Sequence, residues 1–274
     1  MVEVERHKIT HKSNQRMDPN NHWDLYMQLV KTNFKLRYQG SALGFLWVLM
    51  KPFFIFLMLF VVFSSLAGST KNLTSQEYSV FLLIGIVVFF FTNEGITLGM
   101  NSLMSMAKII LKIEFNKFTA LASSISLALI NFFINAIVLT AVCLYVGVEI
   151  NIVSGLYLLF ILLTVVVFIT SVSLFTSIIM IRLRDLTHIV ELLMQLMFYG
   201  SAVFYPISIV PEKWQFIILL NPIATFIQAT RGAVMFGEIS RLKYISVMFT
   251  FSLILLFFGR VYFKKNVKKV AEFF

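Results

Sequence analysis

Charge is scarce in these 274 residues: 13% are Asp, Glu, Lys or Arg, against about 25% in a soluble domain. So few charges cannot cover a water-exposed surface. Cysteine is almost missing. Cys143 stands alone in an apolar run, which excludes an intrachain disulfide and any thiolate metal cluster, so no metal site is expected. Catalytic signatures are missing too. There is no Gly-x-Ser-x-Gly elbow and no His-Glu-x-x-His pair. Gly232 and Gly237 have the spacing of a phosphate-binding loop, but Glu238 follows where that loop requires Lys. No internal repeat and no low-complexity linker divides the chain. If nucleotide hydrolysis drives work here, another subunit has to supply it.

What the chain has in quantity is apolar surface. Hydrophobic residues make up 59%, including 30 Phe and 13 Met. A hydrocarbon core of about 30 Å takes roughly 20 apolar residues in helix. Runs near 45–67, 79–104, 119–147, 155–181, 188–205 and 244–262 predict an all-α integral membrane protein with six transmembrane helices. The fifth run is the weakest, because it meets Tyr205-Pro206. The first 44 residues hold no apolar core of signal-peptide type, so no cleaved leader is expected.

The net charge of +10 would suggest nucleic acid in a soluble protein. Here the charges sit between apolar runs, so topology accounts for them and no nucleic acid is expected. With six spans, 18 Lys and Arg fall on one side and five on the other. The positive-inside rule puts the richer side, and both termini, in the cytoplasm. The expected organisation is a polar arm at 1–21, an amphipathic helix at 22–38 and one membrane domain at 39–274.

Three segments are not ordinary spans. In 22–38, Asp24, Gln28, Lys31 and Lys35 share a polar stripe, while Trp23, Tyr26, Met27, Val30 and Phe34 share an apolar one. This fits a helix lying at the membrane surface; a loose basic arm is the other reading. Arg37 interrupts the apolar face close to the helix end, from where it can snorkel. In 107–117, Lys108, Lys112 and Lys117 alternate with Ile109, Ile110, Ile113 and Phe115, as in a short amphipathic element or a solvated topogenic loop. Residues 206–238 hold Pro206, Pro211 and Pro222, three of the five prolines. Two short re-entrant helices broken at Asn221-Pro222, or an interfacial loop, would fit. Glu94 is the clearest ionisable group inside a span, with no obvious partner in sequence; it marks a pathway, caps a helix break or faces a hydrated interior. His188 and Glu191, one turn apart, read as an interfacial pair rather than a metal site.

Several motifs then occur in order. Leu36-Arg37-Tyr38, Gly40-Ser41, Leu43-Gly44-Phe45-Leu46-Trp47 and Pro52 resemble the start of the first span in ABC-transporter permeases that export polysaccharides and polyol phosphates. Arg184-Asp185-Leu186 with His188 is similar to that family's short loop before span five. Tyr205-Pro206, Val210-Pro211 and Asn221-Pro222 resemble its outer re-entrant region. The resemblance covers about residues 22–265. One departure is Phe115-Asn116, where the family often has Phe-Pro.

The resemblance implies a homodimer of permeases in a bacterial cytoplasmic membrane, with two copies of a cytoplasmic ATPase subunit that binds ATP and Mg. This chain would bind no cofactor itself. The cargo would be a lipid-linked glycan or polyol phosphate: O-antigen, capsule, teichoic acid or rhamnan. Residues 22–37, with Asp24, Lys31 and Lys35, would form the interface helix. Residues 107–117, with Lys108, Lys112, Phe115 and Lys117, would touch the ATPase. Phe45, Trp47, Tyr199, Phe204 and Tyr205, with Glu94, would line a channel between spans one and five. A secondary transporter or channel using broken helices and Glu94 is the alternative. A membrane-embedded glycan-handling enzyme lacks its carboxylate or His cluster.

Overall fold

A computed structural model of the chain describes residues 22–39, 43–67, 74–107, 116–148 and 151–268, and every regular element among them is helical. In chain order these are α1 (His22–Tyr38), α2 (Trp47–Ala67, entered through a 3-10 turn, Gly44–Leu46), α3 (Ser75–Ser105), α4 (Lys117–Val146) and α5 (Ile152–Arg182). There follow α6 (Leu186–Gly200), α7 (Glu212–Leu220), α8 (Pro222–Met235) and α9 (Leu242–Asn266), with a second 3-10 turn at Ile207–Ile209.

Helix ends follow local chemistry. Thr74 and Glu77 make a reciprocal capping box at α3, with Glu77 N donating to Thr74 Oγ1 (3.2 Å) and Thr74 N to Glu77 Oε2 (2.7 Å). Asn116, Asn151 and Asn221 accept from Phe118 N, Ser154 N and Ile223 N at the starts of α4, α5 and α8. Pro222 occupies the first turn of α8, where its missing N–H costs nothing. Asn116 as a cap explains the Phe-Asn departure: proline there would forgo the side-chain bond that starts α4.

Five helices are long and apolar enough to cross a bilayer: α2 with its leading turn, α3, α4, α5 and α9. The expected fifth span differs. α6 has 15 residues, about 22 Å of helix, short of the roughly 30 Å core. It stops at Gly200 rather than near 205 because Ser201–Val203 turn inward and are fully buried, with Ala202 at φ +52°. α7 and α8 then meet at 104° across Asn221-Pro222. α8 runs inside the bundle, with Ala224, Phe226, Ile227, Ala229 and Ala233 at zero exposure, while Trp214, Phe216 and Ile217 of α7 remain exposed.

α3 is the central post. Of its most apolar window 78% is buried, against none for α2. Close contact with α5 depends on Gly95 and Gly99, four residues apart on one face. A Cβ at Gly95 would lie 2.7 Å from Ile169 Cδ1, and one at Gly99 would overlap Ser173 Oγ. Gly259 similarly brings α9 against Leu174 and Phe175 of α5.

One end of the bundle gathers cations. Lys117 Nζ donates to Val267 O (3.4 Å), Arg182 Nη2 to Asn266 Oδ1 (3.4 Å), and the Arg260 guanidinium lies 5.8 Å from the Phe118 ring centroid. The starts of α4 and the ends of α5 and α9 therefore share a face, as the charge pattern predicts.

Gly99→Val should destabilise the protein by about 1–3 kcal/mol through overpacking at the α3–α5 contact. Gly155→Ala on α5, where nothing lies within 4 Å, should instead be neutral or stabilising by up to about 1 kcal/mol. Unfolding in detergent distinguishes the two, and equal effects would refute the close-contact argument.

Candidate functional site

The polar residues of α1, α2, α3 and α4 converge. α1 lies on α4, with Leu29 buried, Tyr26 Oη bonded to Ser126 Oγ (2.5 Å) and Asn33 Nδ2 donating to Ser123 Oγ (3.2 Å). The contact face thus includes Asn33 with Tyr26, and of the expected apolar stripe Tyr26, Val30 and Phe34 are half-buried while Trp23 and Met27 stay exposed. At the end of α1, Arg37 Nη2 meets Glu94 Oε1 at 2.6 Å. Asn131 Nδ2 donates to the same oxygen (2.8 Å), and Tyr38 Oη donates to Asn131 Oδ1 (3.0 Å). Burial pushes the Tyr38 hydroxyl above its ordinary pKa, against the opposing pull of Arg37, so it remains a donor at neutral pH.

This corrects two expectations. Glu94 is not solitary, and Arg37 does not snorkel away from the helix. An ion pair placed partly out of water satisfies both groups more effectively than either could be satisfied alone. The node borders a polar cavity of about 310 Å³ that also meets Trp47, Lys51, Pro52, Asn93 and Asn135. Lys51 Nζ lies 5.5 Å from the Phe90 ring centroid. With Arg37 and Lys51 against Glu94, the cavity's described lining carries one excess positive charge. Family-motif residues Arg37, Tyr38 and Pro52 are thereby brought together with Glu94 and Trp47.

The remaining aromatic candidates separate. Phe45 packs on Phe34 and Tyr38 (5.8 and 5.6 Å between centroids), beside the node. Tyr199, Phe204 and Tyr205 cluster at the far end of α6, where Phe204 meets Phe63 of α2 at 4.9 Å and Tyr205 Oη donates to Tyr199 O (3.0 Å). Arg184 and Asp185 lie exposed in the turn between α5 and α6. His188 Nδ1 and Glu191 Oε2 are 3.6 Å apart on the surface. Gly44 takes φ +41° in the turn before α2. Pro206 and Pro211 precede the second 3-10 turn and α7. Asp24, Lys31 and Lys35 are exposed on α1. Lys108, Lys112 and Phe115 lie outside the described residues, and Lys117 opens α4.

Sequence reasoning missed Arg231, one of the five cations assigned to the poorer side. It is 2% exposed in α8. Its Nε donates to Phe81 O (3.1 Å), Nη1 to Ala202 O (2.8 Å) and Nη2 to Val203 O (2.5 Å), and the guanidinium stacks 3.3 Å from the Phe81 ring centroid. Gly85 makes room: a Cβ there would sit 2.6 Å from Val203 O. Among the described residues no carboxylate pairs with it. Asn131 was also missed, although an Asn four residues before Asn135 within an apolar run was a visible signal.

A double-mutant cycle on Arg37→Ala and Glu94→Ala should give a coupling of about 1–3 kcal/mol in detergent unfolding; independent effects would mean that the pair is screened by solvent. Arg231→Met should remove donors from three carbonyls at about 1–3 kcal/mol each, and Gly85→Val should lower stability in the same direction. A near-neutral Arg231→Met would refute the clamp.

A sequence profile of the ABC-2 type transporter family matches residues 24–235. The O-antigen export system permease protein RfbA of Klebsiella pneumoniae is 27% identical over 252 residues, covering 91% of this chain and 95% of the relative. Its counterpart from Myxococcus xanthus is 21% identical over 90% of this chain and 94% of its own. The polysialic acid transport protein KpsM of Escherichia coli is 22% identical over 86% of this chain and 89% of its own. With a multi-pass helical bundle, the ordered motifs and a profile match across most of its length, this chain belongs to the ABC-2 type transporter family as a membrane permease domain.

Proposed function

We propose that this protein is the non-catalytic transmembrane subunit of an ATP-driven exporter of a lipid-linked cell-surface glycan or polyol-phosphate polymer. The observation that carries the reading is the contrast between helices. No residue in the apolar window of α2 is fully buried: Ile55, Phe56, Leu59, Phe60 and Phe63 pack on the core while Phe53, Phe54, Met58, Val61 and Val62 face outward, and Ile189, Leu192, Leu196 and Tyr199 of α6 are exposed, while α3 is enclosed. A second copy facing α2 and α6 would complete a path whose walls carry aromatic side chains. Phe45 and Trp47 would flank it near the polar node, and Tyr199, Phe204 and Tyr205 would flank it at the other end. Aromatic faces tolerate sugar chains of varying length. The names of the relatives, O-antigen export and polysialic acid transport, support a glycan cargo.

In this reading α7 and α8 form a re-entrant pair, α6 makes the fifth crossing with the turn that follows it, and both termini are cytoplasmic. The surplus positive charge beside Glu94 would attract the phosphate that joins lipid to glycan. A separate ATPase subunit would hold ATP and Mg and push on 107–117 and α1. The alternative, a secondary transporter coupled through Glu94, is weakened by the Arg37 contact, which already occupies that carboxylate.

Two measurements test the proposal on the assembled transporter. Deleting 107–117, or Lys112→Glu, should abolish glycan export and substrate-stimulated ATPase activity while leaving membrane insertion intact. Lys51→Ala should reduce export about tenfold or more, leaving basal ATPase activity unchanged. Export sustained by this chain without any ATPase subunit would overturn the reading.

A further inference from the structure

On a different face of α4 from the polar node, the space between α4 and α5 is an apolar cavity of about 220 Å³. Val87 and Phe91 of α3 and Val234 of α8 contribute to its lining, and exposed Leu159 lies at its rim. Its lining along α4 runs from Phe132 to Cys143. That stretch corresponds to about 16 Å of helix, half of a hydrocarbon core of about 30 Å. The cavity therefore has the depth of one leaflet.

Its lining offers water little. Thr140 Oγ1 donates to Ala136 O and Thr230 Oγ1 to Phe226 O, each at 2.8 Å. Water needs two to four polar partners to occupy such a space, so hydrocarbon is the filling that suits it. One turn beyond Cys143, residues of α3, α4 and α8, with the Asn151 cap of α5, line a second, polar cavity of about 610 Å³, reached by Val146, Asn151, Gly237 and Glu77. Among its described lining residues Glu77 is the charged one. Ser154, beside Asn151 and Gly237, keeps a fully buried hydroxyl without a partner.

We infer that the two cavities form one binding site for a single phospholipid of the adjoining leaflet. The acyl chain lies between α4 and α5, and an amine-bearing headgroup faces Glu77. The site depends on α4 and α5 crossing the bilayer and is independent of the exported cargo.

The test uses the full chain in nanodiscs of phosphatidylethanolamine and phosphatidylglycerol in equal parts, extracted for native mass spectrometry. One phosphatidylethanolamine should remain on each chain. Ala136→Trp, which fills the groove, should reduce its retention at least tenfold. Leu162→Trp fills it from α5 and serves if the first variant does not fold. Ile137→Trp, at an exposed neighbouring position outside the lining, should leave retention unchanged. Glu77→Gln preserves the capping box and should erase the preference for the amine headgroup. Retention unaffected by both groove-filling variants, equal loss with Ile137→Trp, or a retained lipid without headgroup preference would each overturn the site.

Discussion

Where a helix breaks inside a membrane domain, its freed carbonyls need donors that the hydrocarbon cannot supply. Arg231 meets that need at the main break in this chain. α6 ends at Gly200, and the turn after it carries Ala202 and Val203 into the interior. One guanidinium serves both of their carbonyls and that of Phe81, and stacks on the Phe81 ring. A planar fork of donors suits this task in a way that a lysine ammonium does not. The clamp connects α8, α3 and the turn after α6. Its cation replaces the water and intrahelical bonds that the turn has lost, which lets α6 be short and keeps α8 inside.

The second charge system, half-buried, sits in a different part of α3. Glu94 collects Arg37 from α1 and Asn131 from α4, and Tyr38 extends the chain of bonds. The end of α1, the central post α3 and α4 are thus linked by charge-assisted bonds. An excursion of α1 would disturb the Arg37–Glu94 contact directly. That gives a mechanical route from the region where α1 would meet a partner to the polar cavity beside α2.

The regular elements were legible because their signals are local. Apolar run length marked α2, α3, α4, α5 and α9, and Asn116, Asn151 and Asn221-Pro222 mark helix starts by side-chain and ring chemistry. The clustering of Lys117, Arg182 and Arg260 at one end follows from charge alternating with span order. The site was less legible. Arg37, Glu94, Tyr38 and Trp47 were each recognisable as unusual, yet their convergence joins residues as far as 93 positions apart, as in Tyr38 with Asn131. Gly232 and Gly237, which mimic a phosphate loop, instead shape the end of α8: a Cβ on Gly232 would overlap Ser240, and Gly237 has φ +64°.

By itself the sequence determined that this is a helical membrane protein, where most of its spans lie and that Lys117, Arg182 and Arg260 share an end. Composition, run length and capping act within a few turns, so they need no knowledge of the fold. Only the tertiary structure decided that Arg231 is interior, that Glu94 has a cationic partner, that α6 stops early and that no residue in the apolar window of α2 is fully buried. Those outcomes depend on which donor meets which acceptor across packed helices in a low-dielectric interior. A lone charged residue in a sequence gives no sign of whether such a partner will arrive.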